Sequence, residues 1–266
     1  MEPYNKTDQK LHLVCQVLAK LNRTYVQPQY DDSHTNLYFD PEQMRIYSRW
    51  INTNGVKIIA SLNLTDSAIE WQDEHFKILQ SITIADKTCL EIERHVQKGL
   101  VQFALNQEDF SVPMHYKIPS YSFQNNVYQP FTEEELNNWC YYRKLANFGC
   151  ESLVKVFGKS VDIRIWPHHF DTCIYTTLNK SFEIKFGLAM DDGLADSAYF
   201  YLTGFTKMGR VNFTELPKLE NGKWLITDHW KGAIFTIHEL NSIPTENHLQ
   251  AVNKFGNEAL NWFLSA

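Results

Sequence analysis

Asn52-Thr53-Asn54-Gly55-Val56-Lys57-Ile58-Ile59-Ala60-Ser61-Leu62-Asn63-Leu64-Thr65-Asp66 is the stretch that decides the fold. An Asn-Gly pair suits a tight hairpin turn, whose central residues need positive φ. Behind it, Val56 to Leu64 has the length and composition of a strand, and Thr65-Asp66 ends it with turn chemistry. Working outward, Leu37-Tyr38-Phe39, Met44 to Trp50, Ala68 to Trp71 and Phe76 to Ile82 also read as strands. Asp40-Pro41 separates the first two, and connections this short make an antiparallel meander.

Helices flank that meander. Leu11, Val14, Cys15, Leu18 and Leu21 recur at helical spacing, with Thr7 or Asp8 as the expected cap. A second helix is expected over 86–105, with Cys89, Ile92, Val96, Leu100 and Phe103 inward. Residues 107–131 hold Pro113, Pro119 and Pro130 and read as an irregular connector. Thr132-Glu133-Glu134-Glu135 is a capping box opening a long helix that Gly158 can close. Strands resume at Val161–Trp166, Thr172–Thr177, Phe182–Ala189, Ala198–Phe205 and Trp224–Thr227, and Ala233 to Ile237 is a further apolar run. Pro244-Thr245 starts a last helix with Leu249, Val252, Gly256, Ala259, Leu260 and Phe263 on one face.

The expected class is therefore α+β, with antiparallel meanders packed by helices. Residues 1–106 form a first half, 107–131 a connector and 132–266 a second half, compatible with one compact domain. Both halves run helix, strands, helix, which suggests an internal duplication. Leu37 to Pro41 parallels Arg164 to Pro167, and Glu74-His75-Phe76-Lys77 parallels Asp228-His229-Trp230-Lys231.

Composition narrows the function classes. The chain has 266 residues, 44% hydrophobic and 14% aromatic, which supplies a core and argues against disorder. A net charge of −6 without a Lys/Arg run lacks the footprint of a nucleic-acid binder. It also disfavours anionic membrane surfaces, and no apolar stretch has membrane-spanning length. The polar N-terminus and five cysteines without a C-x-x-C pattern point to the cytoplasm.

Chemistry concentrates in Trp166-Pro167-His168-His169-Phe170-Asp171. On an extended strand His169 and Asp171 would share a face. Imidazole with carboxylate suits Zn²⁺ or Fe²⁺, or a carboxylate-oriented general base. His168, His169, Asp171 and His229 are the candidate catalytic residues. His169, Asp171 and His229 are the candidate metal ligands, with His115 a weaker third donor. Asp191-Asp192-Gly193, with Asp196, offers carboxylates but lacks EF-hand spacing and reads as a solvated turn. Trp166, Tyr199, Tyr201, Trp224 and Trp230 are the aromatic candidates for lining a ligand groove. The sequence contains no G-x-S-x-G, Walker A, G-x-G-x-x-G or H-E-x-x-H motif.

Ile163 to Asp171, Tyr199-Phe200-Tyr201 and Trp230-Lys231-Gly232-Ala233-Ile234 occur in this order and together resemble a bacterial family catalogued only as a domain of unknown function. The resemblance covers recognisable motifs of the C-terminal half and supports the α+β fold. Three positions depart from the family pattern. Ala189-Met190-Asp191-Asp192 replaces a Ser-Pro-Gly-Asp-like loop, Leu225 replaces a histidine, and Asp228-His229 replaces Glu-Gly. The resemblance implies no activity, and these departures favour a non-catalytic ligand-binding or interaction protein. The alternative is a metal-dependent or acid–base hydrolase-type enzyme using the His168-His169-Phe170-Asp171 cluster.

Overall fold

The computed structural model of the chain describes residues 2–158, 160–179, 182–206 and 211–265. The chain divides into two compact units. The N-terminal unit holds Lys6–Cys140 and Ile165–Phe170, and the C-terminal unit holds Met1–Asn5, Tyr141–Arg164 and Asp171–Ala266. The class is α+β, with two antiparallel sheets and accompanying helices.

In chain order the first elements are α1 (Glu2–Tyr25), β1 (Tyr38–Asp40), β2 (Arg45–Tyr47), β3 (Ile51–Thr53), β4 (Val56–Asn63), β5 (Ala68–Asp73), β6 (Ile78–Thr83), α2 (Cys89–Gly99) and α3 (Gln107–Ser111). The sheet runs β1-β2-β4-β5-β6, with β3 also paired to β4. Asn54 and Gly55 turn β3 into β4 with φ of 47° and 80°. That is the double positive φ a two-residue hairpin requires. The strand expected over Met44 to Trp50 stops at Tyr47. Ser48 uses its hydroxyl to accept the Ala60 N–H at 3.0 Å, and the Arg49 N–H leaves the ladder for Asn22 Oδ1 at 2.7 Å. The chain kinks there and re-enters the sheet as β3.

Two helix starts also differ from expectation. α1 begins at Glu2, so Thr7 and Asp8 lie inside it, and both are buried. Asp8 Oδ1 accepts the Trp139 indole N–H at 2.7 Å instead of capping. Asp86 takes φ 58°, which bars a helix at 86. α2 starts after Thr88, whose side chain and that of Glu91 form a reciprocal capping box. It ends at Gly99, and a 3-10 turn over Leu100–Phe103 continues the chain. Ile92, Val96 and Leu100 form the fully buried stripe expected of them. Residues 107–111 of the expected connector form the short helix α3, capped by Asn106.

The remaining elements are α4 (Glu133–Phe157), β7 (Arg164–Trp166), β8 (Asp171–Asn179), β9 (Phe182–Ala189), β10 (Tyr199–Thr206), β11 (Lys223–Ile226), β12 (Lys231–Thr236), α5 (Ile237–Leu240) and α6 (His248–Ser265). The second sheet has the order β11-β12-β10-β9-β8-β7. Thr132 and Glu135 form the expected capping bonds at the start of α4, and Gly158 follows its end at φ 61°. The α6 helix packs on β10 and β12, burying Val252, Phe255, Ala259, Leu260 and Phe263, while Leu249 is 37% exposed and lies off that face. Among the described residues, no helix is long and apolar enough to cross a membrane.

Candidate functional site

The residues between β7 and β8 form a turn and not the extended backbone on which His169 and Asp171 would share a face. Trp166 carbonyl oxygen accepts the N–H groups of His169 (3.2 Å) and Phe170 (2.6 Å), and Phe170 takes φ 54°. Side chains alternate between faces only along a strand, so His169 and Asp171 are not paired by alternation.

Within the N-terminal unit this turn is held from below. His12, fully buried, places Nε2 2.9 Å from Pro167 carbonyl oxygen and Nδ1 2.7 Å from Tyr121 Oη. A carbonyl can only accept, so Nε2 carries the proton. In the neutral ring Nδ1 then accepts from the Tyr121 hydroxyl. Gln16 Nε2 donates to the same Pro167 oxygen at 2.8 Å, and Tyr116 Oη donates to Gln16 Oε1 at 2.9 Å. The Phe170 ring is completely buried, stacked on His12 (5.2 Å between centroids, 17° between planes) and on Trp139 (6.5 Å, 27°). Above them, the half-buried His168 ring has Trp166, Tyr116 and His169 as aromatic neighbours, with centroids at 6.0, 5.6 and 4.3 Å. His169 is exposed. His115, the weaker metal donor, has Nε2 2.9 Å from Asp32 Oδ2.

In the C-terminal unit Asp171 is buried on β8, and its Oδ2 accepts the Tyr201 hydroxyl at 2.5 Å. Burial, reinforced by the Asp171 charge, pushes both the Tyr201 phenol and the Cys173 thiol well above their ordinary values. These groups thus stay protonated, and Tyr201 remains a donor to the carboxylate. Tyr199 donates to Asp192 Oδ2 at 3.0 Å, and burial likewise raises its phenol. Tyr199 and Tyr201, expected to line a groove, are instead 3% and 6% exposed and belong to the core.

The Asp191-Asp192-Gly193 loop is a turn, as expected. Asp191 Oδ1 and Asp192 Oδ1 accept the N–H groups of Gly193 and Leu194 at 3.3 and 3.0 Å. Among the described residues, no group of three or more His, Cys, Asp or Glu side chains is placed to hold a metal ion. Of the three candidate metal ligands, His169 belongs to the N-terminal unit and Asp171 and His229 to the C-terminal unit.

His229 and Trp230 have a different setting. Thr227 ties the β11–β12 turn together: its hydroxyl oxygen accepts the N–H groups of His229 (3.3 Å) and Trp230 (2.9 Å), and its own O–H donates to the Trp230 carbonyl at 3.0 Å. Thr203 Oγ1 donates to Lys231 carbonyl oxygen at 2.7 Å, fixing β10 beside it. Gly232 is required here, because a Cβ would stand 2.8 Å from the Trp230 ring and 2.5 Å from Leu202 carbonyl oxygen. The result is an open pocket of about 340 Å³ lined in part by Phe205, Phe213, Asp228, His229, Trp230 and Lys231. The Lys231 ammonium lies 5.9 Å from the Phe213 ring centroid, within cation–π range.

Of the aromatic residues the sequence offers as a pocket lining in this unit, Phe205 and Trp230 line this pocket and Tyr199, Tyr201 and Trp224 do not. Trp224 packs on Trp262 and Phe263 and donates its indole N–H to Pro217 carbonyl oxygen at 2.8 Å. Phe213 and Lys231 were not among the expected site residues. Lys231 follows Trp230 directly, but no local pattern in the sequence marks Phe213. No protein-family model, curated protein or solved structure matches the chain.

Proposed function

We propose that this chain is a non-catalytic binding protein whose C-terminal unit holds a small ligand with a planar apolar face in the pocket of Trp230. The observation that carries this reading is the convergence of Phe205, Phe213 and Trp230 with Asp228, His229 and Lys231 around one open cavity. An apolar wall with a few polar groups is the usual composition of a ligand site, and about 340 Å³ falls at the small end of the roughly 300–1,000 Å³ range. Trp230 supplies the stacking surface, while Asp228, His229 and Lys231 select the ligand's polar substituents. The disposition of the other candidates supports a non-catalytic role. Asp171 is sealed against Tyr201, and His168 is surrounded by aromatic rings.

Two coarser readings accompany this one. The five free thiols suit a reducing compartment, read here as the cytoplasm. A diverged duplication is supported by the sheet orders β1-β2-β4-β5-β6 and β7-β8-β9-β10-β12, which match once β3 in the first sheet and the edge strand β11 in the second are set aside.

The test is ligand-observed NMR with a panel of aromatic acids, amines and neutral aromatics. At least one chemotype should bind saturably, and Trp230→Ala should weaken it about tenfold or more, the worth of one good stacking contact and its buried area. Absence of saturable binding by every chemotype, or binding indifferent to Trp230→Ala, would overturn the proposal.

A further inference from the structure

We propose a second binding site, in the N-terminal unit, for a small amphipathic carboxylate. It is a cavity of about 240 Å³, separate from the Trp230 pocket, lined in part by Lys6, Lys10, Leu13, Cys89, Phe123 and Val127. The first three stand at i, i+4 and i+7 on α1 and so form one stripe of the helix. Most of that helix's apolar side chains are covered, with Leu11, Val14, Cys15 and Leu18 at 0–1% exposure. Leu13 and Phe123, however, are only half-buried, and Val127 is 46% exposed. Apolar surface is thus left uncovered around a concavity, and a ligand would cover it.

Charge selects the occupant. Both charged residues of the lining are lysines. Lys10 Nζ lies 5.2 Å from the Phe131 ring centroid, and neither lysine has a carboxylate within salt-bridge distance among the described residues. One competitor is Glu135, whose carboxyl is held below the usual range mainly by Thr132, with smaller contributions from Lys10 and Lys6. Its Oε2 already accepts the Thr132 N–H at 2.8 Å and the Thr132 hydroxyl at 3.1 Å. The two ammonium groups therefore fit a monoanion at the mouth, with its hydrocarbon against Leu13, Phe123 and Val127. The volume is below the roughly 300 Å³ at which ordinary ligand pockets begin, so the ligand has to be short.

Cys89 gives the site a reporter. Burial, followed by the Glu93 charge, pushes its thiol up to about 11, so at neutral pH it forms part of the wall and is not a nucleophile. In mildly alkaline solution it should still alkylate slowly with iodoacetamide, and an occupant of the cavity should slow it further.

The experiment compares sodium octanoate, octan-1-ol and octylammonium by calorimetric titration. It also follows Cys89 alkylation by peptide mass mapping with each compound present. Octanoate should bind saturably and protect Cys89, and the alcohol and the amine should bind about tenfold or more weakly, since a charge-assisted contact carries that much. Lys6→Gln with Lys10→Gln should lose that preference with circular dichroism unchanged, because Lys6 is exposed and Lys10 only half-buried. Val127→Asp should also weaken octanoate, whereas Trp230→Ala should leave it unchanged, which separates this site from the Trp230 pocket. Equal binding of octanol, no effect of the lysine pair, no protection of Cys89, or no saturable binding would each overturn the proposal.

Discussion

The turns Pro41–Met44 and Pro167–Phe170 have similar backbones and opposite surroundings. Each follows a three-residue strand, opens on proline and closes on a non-glycine residue at positive φ, 52° for Met44 and 54° for Phe170. In the first, Asp40 Oδ1 accepts the N–H groups of Glu42 (2.9 Å) and Gln43 (3.1 Å), and the tip is exposed. In the second, the Trp166 carbonyl accepts the N–H groups one position further along, those of His169 and Phe170, and the closing residue is a fully buried ring between His12 and Trp139. A left-handed conformation costs an L-residue about 1–2 kcal/mol in either place. At Phe170 burial offsets that cost, whereas half-buried Met44 has little to set against it. Within the second turn it is the Phe170 ring that anchors the backbone in the core, whereas His168 is half-buried and His169 exposed.

Substitutions should separate the two turns. Phe170→Ala should destabilise the N-terminal unit by about 3–5 kcal/mol, the cost of deleting a buried aromatic ring, while Met44→Ala costs far less. Urea denaturation followed by tryptophan fluorescence measures both. His12→Leu should cost about 2 kcal/mol, because the Tyr121 hydroxyl and one bond to the Pro167 carbonyl lose their partner. Met44→Gly should be neutral or stabilising by up to about 1 kcal/mol, since glycine adopts positive φ freely. Phe170→Gly should remain strongly destabilising, and equal effects at the two positions would remove the distinction. His169→Ala, at an exposed position, should shift the transition by no more than about 0.5 kcal/mol.

Much of the fold was legible because local chemistry and tertiary context agree. Phe182–Ala189 is a strand with the bounds its pattern implies, Asn54-Gly55 turns as its composition demands, and Thr132 with Glu135 caps α4. Where they disagree, the deciding partner lies far along the chain. Asp8 resembles a cap but bonds Trp139, 131 positions away. Ser48 and Arg49 resemble strand residues until Asn22 takes the Arg49 N–H. The candidate site was less legible for the same reason. His229 reads as a catalytic or metal candidate and Trp230 and Phe205 as pocket aromatics, but the lining also includes Phe213 from a segment without a local pattern. Tyr199 and Tyr201 offered the same aromatic chemistry, yet the carboxylates of Asp192 and Asp171 hold their hydroxyls in the core.

The most direct test is a side-by-side titration of the best-binding aromatic fragment against the unaltered chain, Trp230→Ala, Phe213→Ala and the double variant His168→Ala with His169→Ala. Loss of affinity in the two pocket variants, with the histidine variant binding normally, is the result expected if Trp230 marks the site and the histidine turn is structural. Normal binding by the pocket variants and loss in the histidine variant would contradict it.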